Sequence, residues 1–145
     1  MQGKINLRVL AQIALGAALS GAGIGHLTVL REEFQAQVPT WFPLDADFVV
    51  LASGVVEICL GVALLVTWRQ PARAAVGAAT AAFFVVIFPG NIAQFVEHRD
   101  AFGLESDLAR GVRLLFQPVL VAWAVLATDA WSVVRQRVRG KSATS

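Results

Sequence analysis

Apolar residues in this chain gather into long unbroken stretches, not at alternating positions or along one helical stripe. Residues 9–30 and 74–96 carry no formal charge, residues 48–68 carry only Glu57, and residues 114–134 carry only Asp129, close to their end. A helix that crosses about 30 Å of hydrocarbon at about 1.5 Å per residue needs roughly 20 mostly apolar residues. All four stretches meet that requirement. The pattern predicts an all-α, polytopic four-helix membrane bundle in one domain, residues 1–145. No dyad alternation points to barrel strands. The first stretch has a basic start, Lys4 and Arg8, and small residues from Ser20 to Gly23 that resemble a signal cleavage site. Its apolar run continues to Leu30, longer than a signal core, so it is expected to stay as a span.

Composition agrees with this reading. The chain is 57% hydrophobic and 15% charged, against about 25% charged for a soluble domain. Disorder is excluded by the amount of apolar surface. Cys59 is the one cysteine, so neither an intrachain disulfide nor a CxxC pair can form.

The charges outside the spans set an orientation. Lys4, Arg8, Arg69, Arg73, Arg135, Arg137, Arg139 and Lys141 fall in the N-terminus, the link between spans two and three, and the tail, with no acid among them. The other two loops hold Arg31, Arg99, Arg110 and Arg113 with every remaining non-span acid, from Glu32 to Asp107. Eight basic residues against four place both termini in the cytoplasm by the positive-inside rule. Trp68 and Trp131 then sit near the inner boundary, where indoles anchor. The net charge is only +2, and the basic tail reads as a topology anchor and lipid-headgroup contact, not a nucleic-acid arm. Residues 141–145 read as a frayed end.

The two acidic loops are long. In the first, residues 38–44 are apolar, broken by Pro39 and Pro43, and too short to span; such a segment lies at the interface or caps a bundle. Trp41 is expected to rest against the outer ends of the spans. In the second, Gly103 marks a turn and Ser106 an N-cap, so the fourth helix is expected to begin near Ser106.

Glu57 lies midway along the second span. An acid at the centre of a span costs about 2.5–3.5 kcal/mol and normally faces protein or water. Ser53, Gly54 and Gly61 share its helix face, and small residues there permit close helix approach. His26 shares a side of the first span with Gly16, Ser20 and Gly23. Pro89 removes a backbone donor from the third span, which predicts a kink, and Asn91 stands ready to satisfy freed backbone groups. Arg110, Arg113 and Gln117 form one stripe leading into the outer mouth. Asn91, Gln94, Gln117 and His26 all fall in the outer half, with Glu57 below. The expected binding site is therefore an outward-open cavity with Glu57, His26, Asn91, Gln94, Gln117, Arg113, Arg110 and Trp41 around it. The nearest neighbours expected for Glu57 are water, His26 or Asn91, because Arg113 is higher in the membrane. Each residue also has a bland structural role open to it: a hydrogen-bonded acid between helices, a packed histidine, a solvated arginine.

Other chemistries find little support. Two histidines without HExxH or paired-His spacing provide no metal or haem centre. No Gly-rich phosphate loop or nucleophilic triad is present.

The ordered segments Gly23-Ile24-Gly25-His26, Val38-Pro39-Thr40-Trp41-Phe42-Pro43, Ser53-Gly54 with Glu57 and Gly61, Phe88-Pro89-Gly90-Asn91 and Arg113-Leu114-Leu115-Phe116-Gln117-Pro118 with Trp123-Ala124 resemble the DoxX-like group of small bacterial membrane proteins. The resemblance spans about residues 20–128. It implies a four-helix protein of the bacterial inner membrane, and named members are associated with quinone-linked sulfur oxidation and oxidative-stress complexes. The cysteine pairs of the thiol-handling branches are missing. The leading expectation is an accessory or quinone-proximal subunit of a membrane redox system, with a quinone as its non-covalent cofactor. Its partners would be the bilayer and a redox protein or a second copy of the chain, with no nucleic acid. The alternatives are a small-lipid binding protein or isomerase-like enzyme using Glu57, and a structural membrane partner without ligand.

Overall fold

The structure is a computed structural model that describes residues 6–35, 38–98 and 106–143. Six helices follow one another: α1 (Leu7–Leu27), α2 (Arg31–Gln35), α3 (Ala46–Val66), α4 (Ala72–Val96), α5 (Asp107–Ala127) and α6 (Ala130–Ser142). No strand occurs among the described residues. Helices α1, α3, α4 and α5 are each long and apolar enough to cross a membrane. The chain is an all-α, polytopic integral membrane protein. An even number of crossings returns it to the side on which it began.

Local chemistry sets the helix ends. The side chains of Asn6, Asp45 and Ser106 accept hydrogen bonds from the backbone N–H of Arg8, Phe48 and Ala109, at 3.0, 3.3 and 3.1 Å. Each satisfies a donor that the first helical turn leaves without a partner. The N-cap expected at Ser106 is therefore present, while the turn expected at Gly103 lies outside the described residues. Helix α4 runs unbroken through Pro89.

Three boundaries differ from those read off the apolar runs. Helix α1 ends at Leu27, and a turn held by Thr28 and Leu30 N–H donating to Gly25 O leads into the separate helix α2. The fourth spanning helix occupies Leu108–Ala127, where the apolar run pointed to residues 114–134. Its end is the Thr128–Asp129 break, at which Asp129 adopts a left-handed conformation with φ 59°. Beyond it the tail is helical through Ser142, not frayed from Lys141.

Helix α1 packs chiefly on α3, and α4 on α5; α1 also touches α5, whereas α3 and α4 meet sparingly. The α1–α3 contact is nearly backbone to backbone. A Cβ added at Gly23 would lie 2.7 Å from Gly54 O, and one at Gly54 would lie 2.7 Å from His26 Cβ. Without water to drive helices together, such close packing of small residues holds a membrane bundle. Leu15, Leu19, Leu64, Phe84 and Ala124 fill the shared core. The outward faces of the spans expose Val55, Val62, Val86, Leu115, Val119 and Leu126. An apolar surface of that extent suits hydrocarbon as the surrounding solvent.

The end of the bundle that carries the basic segments is closed by side chains. Gln12 Nε2 donates to Leu64 O at 2.7 Å and Thr67 O at 3.0 Å, and its Oε1 accepts from Arg73 Nε at 2.6 Å. Arg73 also donates to Ala127 O at 2.8 Å, Gln70 to Thr128 O at 2.8 Å, and Trp123 to Ala11 O at 2.8 Å. Arg8 and Asp129 form an ion pair at 3.0 Å. All four spans are thereby tied together at this end, and the open space lies at the other.

Candidate functional site

A cavity of about 770 Å³ occupies the acidic-loop half of the bundle, where α3 and α4 diverge. Its walls come from α1, α3, α4 and α5, and the segment 38–44 lies across its mouth. Phe48 and Val56 of α3 and Val86 of α4 line the cavity and are accessible, so its α3 and α4 walls are apolar and open to the surroundings.

The small-residue contact of α1 and α3 determines what stands at its polar end. Gly23 precedes His26 by three residues, and Gly54 precedes Glu57 by three. Helical spacing puts each glycine on the same face as its polar partner. When the glycine faces meet, the two side chains are brought side by side. His26 Nδ1 lies 3.0 Å from Glu57 Oε2, with both side chains buried. The same Nδ1 lies 2.8 Å from Ala22 O. A carbonyl only accepts, so Nδ1 carries a hydrogen and donates it to Ala22 O. Glu57 Oε2 stands at contact distance from the same nitrogen without receiving that hydrogen bond. Among the described residues, His26 Nε2 and Glu57 Oε1 make no hydrogen bond to protein. Both residues line the cavity.

Phe34 of α2 stacks on the His26 ring with centroids 3.4 Å apart and planes 14° from parallel. The turn after Thr28 folds α2 back over the end of α1 and brings it there. Arg31 pairs with Asp47 at the head of α3, with Nε to Oδ1 at 2.5 Å, and Gln35 donates to the same carboxylate at 3.0 Å. Helix α2 is thus pinned over the His26–Glu57 pair.

Gln117 and Arg113 of α5 reach the cavity from the opposite wall. Asn91 Nδ2 donates to Gln117 Oε1 at 3.1 Å, and Gln117 Nε2 donates to Phe84 O at 2.8 Å. This buried chain joins α4 to α5 beside Pro89 and Pro118. Asn91 donates to Gln117 and not to the backbone near Pro89, and Gln117 reaches Phe84 O, one residue before the Val85 carbonyl that Pro89 leaves without its helical donor.

The expected site is therefore gathered in part. His26, Glu57, Arg113, Gln117 and Trp41 line one cavity; Asn91 stands behind Gln117; Gln94 and Arg110 are buried off its walls. His26, and not Asn91, is the neighbour of Glu57. Trp41 is 69% exposed but keeps contact with the mouth and meets Phe42 edge-on at 6.1 Å. The segment is fastened to the far side by Thr40 Oγ1 donating to Glu97 Oε1 at 2.9 Å. Sequence reasoning did not single out Phe34 or Thr40. The one signal for the first was a lone aromatic residue in the polar run Arg31-Glu32-Glu33-Phe34-Gln35. Among the described residues no group of three His, Cys, Asp or Glu side chains could hold a metal ion.

Over residues 15–128 the chain matches the family described as a domain of unknown function, DUF8561, and it belongs to that family. No curated protein and no solved structure matches it.

Proposed function

We propose that this protein binds a lipophilic molecule with a hydrogen-bonding head, taken from the bilayer between α3 and α4. The observation that carries this reading is the cavity itself. It is largely apolar, has accessible α3 and α4 walls, and has at its polar end an imidazole nitrogen and a carboxylate oxygen that make no hydrogen bond among the described residues. Ligand pockets have this composition: apolar walls with a few placed polar groups that fix orientation. His26 Nε2, Glu57 Oε1 and the Arg113 guanidinium would receive the head; the tail would lie along the α3 and α4 walls.

A quinone is the ligand this reading favours, which makes the chain a quinone-proximal, accessory subunit of a membrane redox system. A quinone pairs two hydrogen-bond-accepting carbonyls with an isoprenoid tail. Arg113 can donate to such an oxygen, and the His26–Glu57 pair can hold a proton beside it. The segments that resemble the DoxX-like group supply His26, Glu57, Arg113 and Gln117, so the resemblance and the cavity concern the same residues. With both termini cytoplasmic, in a bacterial inner membrane, the mouth faces the periplasm. The second reading is a lipid-binding or isomerase-like protein, favoured by Glu57 Oε1 as a carboxylate oxygen without a hydrogen-bond partner among the described residues.

Trp41 at the mouth provides the test, because quinones quench indole emission. A short-chain ubiquinone analogue added to the protein in nanodiscs should quench part of the emission saturably. That part should vanish in Trp41→Phe and need higher concentrations in Glu57→Leu. Competition by a long-chain fatty acid, with no saturable effect of the quinone, would favour the lipid reading. Quenching that is linear and unchanged by either substitution would contradict a binding site.

A further inference from the structure

Helix α6 is not a continuation of the fourth span. The left-handed Asp129 interrupts α5, Arg8 holds the Asp129 carboxylate at 3.0 Å, and α6 then contacts α4 as well as α5. Only its first turns are drawn into the bundle; Ala130 is buried, and from Val134 onward every described residue is exposed. A helix leaving a membrane bundle in water would be expected to be polar all round. This one is not.

Trp131, Val134 and Val138 recur three and four residues apart and are all exposed, so they form one apolar stripe. At 3.6 residues per turn, Arg135 and Arg139 border that stripe on one side, and Arg137 and Lys141 border it on the other. Ser132, Gln136 and Gly140 occupy the opposite side, together with Val133, which is half-buried near the bundle. The helix contains no acid. The Arg135 guanidinium sits over the Trp131 ring, 5.4 Å from its centroid. An apolar stripe flanked on both sides by long cationic side chains is the pattern of a helix lying in a membrane interface. Its apolar face enters the acyl boundary, and its cations reach the headgroups.

We infer that α6 is an in-plane anchor that binds anionic phospholipid headgroups at the basic face of the membrane. The occupant is the lipid surface and not a protein groove, because the cations flank the apolar stripe on both sides instead of facing one partner. The tryptophan also stands where the span ends, at the depth indoles prefer. Each cation near an anionic surface adds to binding, and the effect falls away with salt. This inference is independent of the cavity at the opposite end.

The test uses the full chain in a Cys59→Ala background, with single cysteines at Val138 or Gln136. Both are reacted with an impermeant thiol reagent in nanodiscs. In discs containing anionic phosphatidylglycerol, Val138→Cys should react several-fold more slowly than Gln136→Cys. The difference should shrink in purely zwitterionic discs or in high salt. It should also shrink in a variant with Arg135, Arg137, Arg139 and Lys141 all changed to Gln, which leaves the spans untouched. Equal rates at the two positions in anionic discs would overturn the inference, since α6 would then stand in water. Protection of Val138 that ignores lipid charge, salt and the four substitutions would overturn it as well, and would point to a protein surface covering the stripe.

Discussion

The nearest polar neighbour of Glu57 Oε2 is His26 Nδ1, 3.0 Å away across a helix contact with glycine on both sides. Neither residue has the pair without the other, and neither helix can approach so closely without its glycines. Packing and site chemistry therefore depend on the same few positions, and substitutions there separate the two.

At Glu57, the amide and the aliphatic replacement should behave differently. Glu57→Gln keeps an acceptor beside His26 Nδ1 and should fold like the parent, while losing any function that needs the carboxylate to exchange a proton. Glu57→Leu removes the carboxylate beside His26, whose Nδ1–H keeps Ala22 O at 2.8 Å, so it should cost less than about 1 kcal/mol of stability while abolishing ligand binding. Thermal unfolding in mild detergent, compared with ligand binding for both variants, checks this. Unchanged binding in Glu57→Leu would contradict the assignment.

Gly23→Ala should loosen the α1–α3 contact. The new Cβ would lie 2.7 Å from the backbone oxygen of Gly54, which cannot rotate away. Overpacking of this kind costs about 1–3 kcal/mol. Gly21→Ala is the control, since a Cβ there meets nothing within 4 Å. A lower unfolding temperature for the first and none for the second is expected; equal effects would show that the helices do not meet at Gly23.

Gln117→Leu should destabilise the α4–α5 pair. It leaves Asn91 Nδ2 and Phe84 O without the partners they have at 3.1 and 2.8 Å. Phe84 O keeps its helical donor, so the cost is chiefly that of the unpaired Asn91 amide, about 1–3 kcal/mol. Gln117→Leu combined with Asn91→Leu should recover part of the loss, because the orphaned amide is gone. A double-mutant cycle in unfolding measurements that shows strict additivity would contradict the contact.

Thr40→Val removes the hydroxyl that fastens the mouth segment to Glu97 while keeping the side-chain shape. Ligand exchange should quicken, with a smaller change in the unfolding temperature than at Gly23 or Gln117. Association and dissociation rates read from Trp41 emission provide the measurement; unchanged rates would mean that the segment does not gate the cavity.

Much of the architecture was legible because the bilayer constrains it. Four long apolar runs leave few options once every backbone N–H must be paired. The faces holding His26 and Glu57 were legible too, since Gly16, Ser20 and Gly23, and Gly54 and Gly61, marked them. Helix rotation about the other contacts was not. Hydropathy is nearly uniform around α4, so nothing in the pattern told that Gln94 turns away from the cavity, or that Asn91 reaches Gln117 before any backbone group; α5 carries the polar stripe Arg110, Arg113 and Gln117, but a stripe does not tell which of its members reaches the cavity and which is buried beside it. The end of α5 was obscured for a related reason. Trp131, Val133 and Val134 extend the apolar run past Asp129, and a window average cannot register a break at one left-handed residue. The clamp of Gln12, Gln70 and Arg73 depends on contacts between residues more than fifty apart in the chain, which no local pattern carries.

The central claim is that the cavity holds a lipophilic molecule against His26 and Glu57. The most direct measurement is mass spectrometry of small molecules that co-purify with the protein extracted from its own membranes in mild detergent. It should be run on the parent chain, on Glu57→Gln, and on His26→Leu with Glu57→Leu. The account predicts one amphiphilic species, with a carbonyl-bearing head and a long apolar tail, retained near one per chain by the parent. It should be depleted in the double variant, with the variant still folded. The same mixture of bulk lipids from all three proteins, with no species enriched by the parent, would contradict the claim.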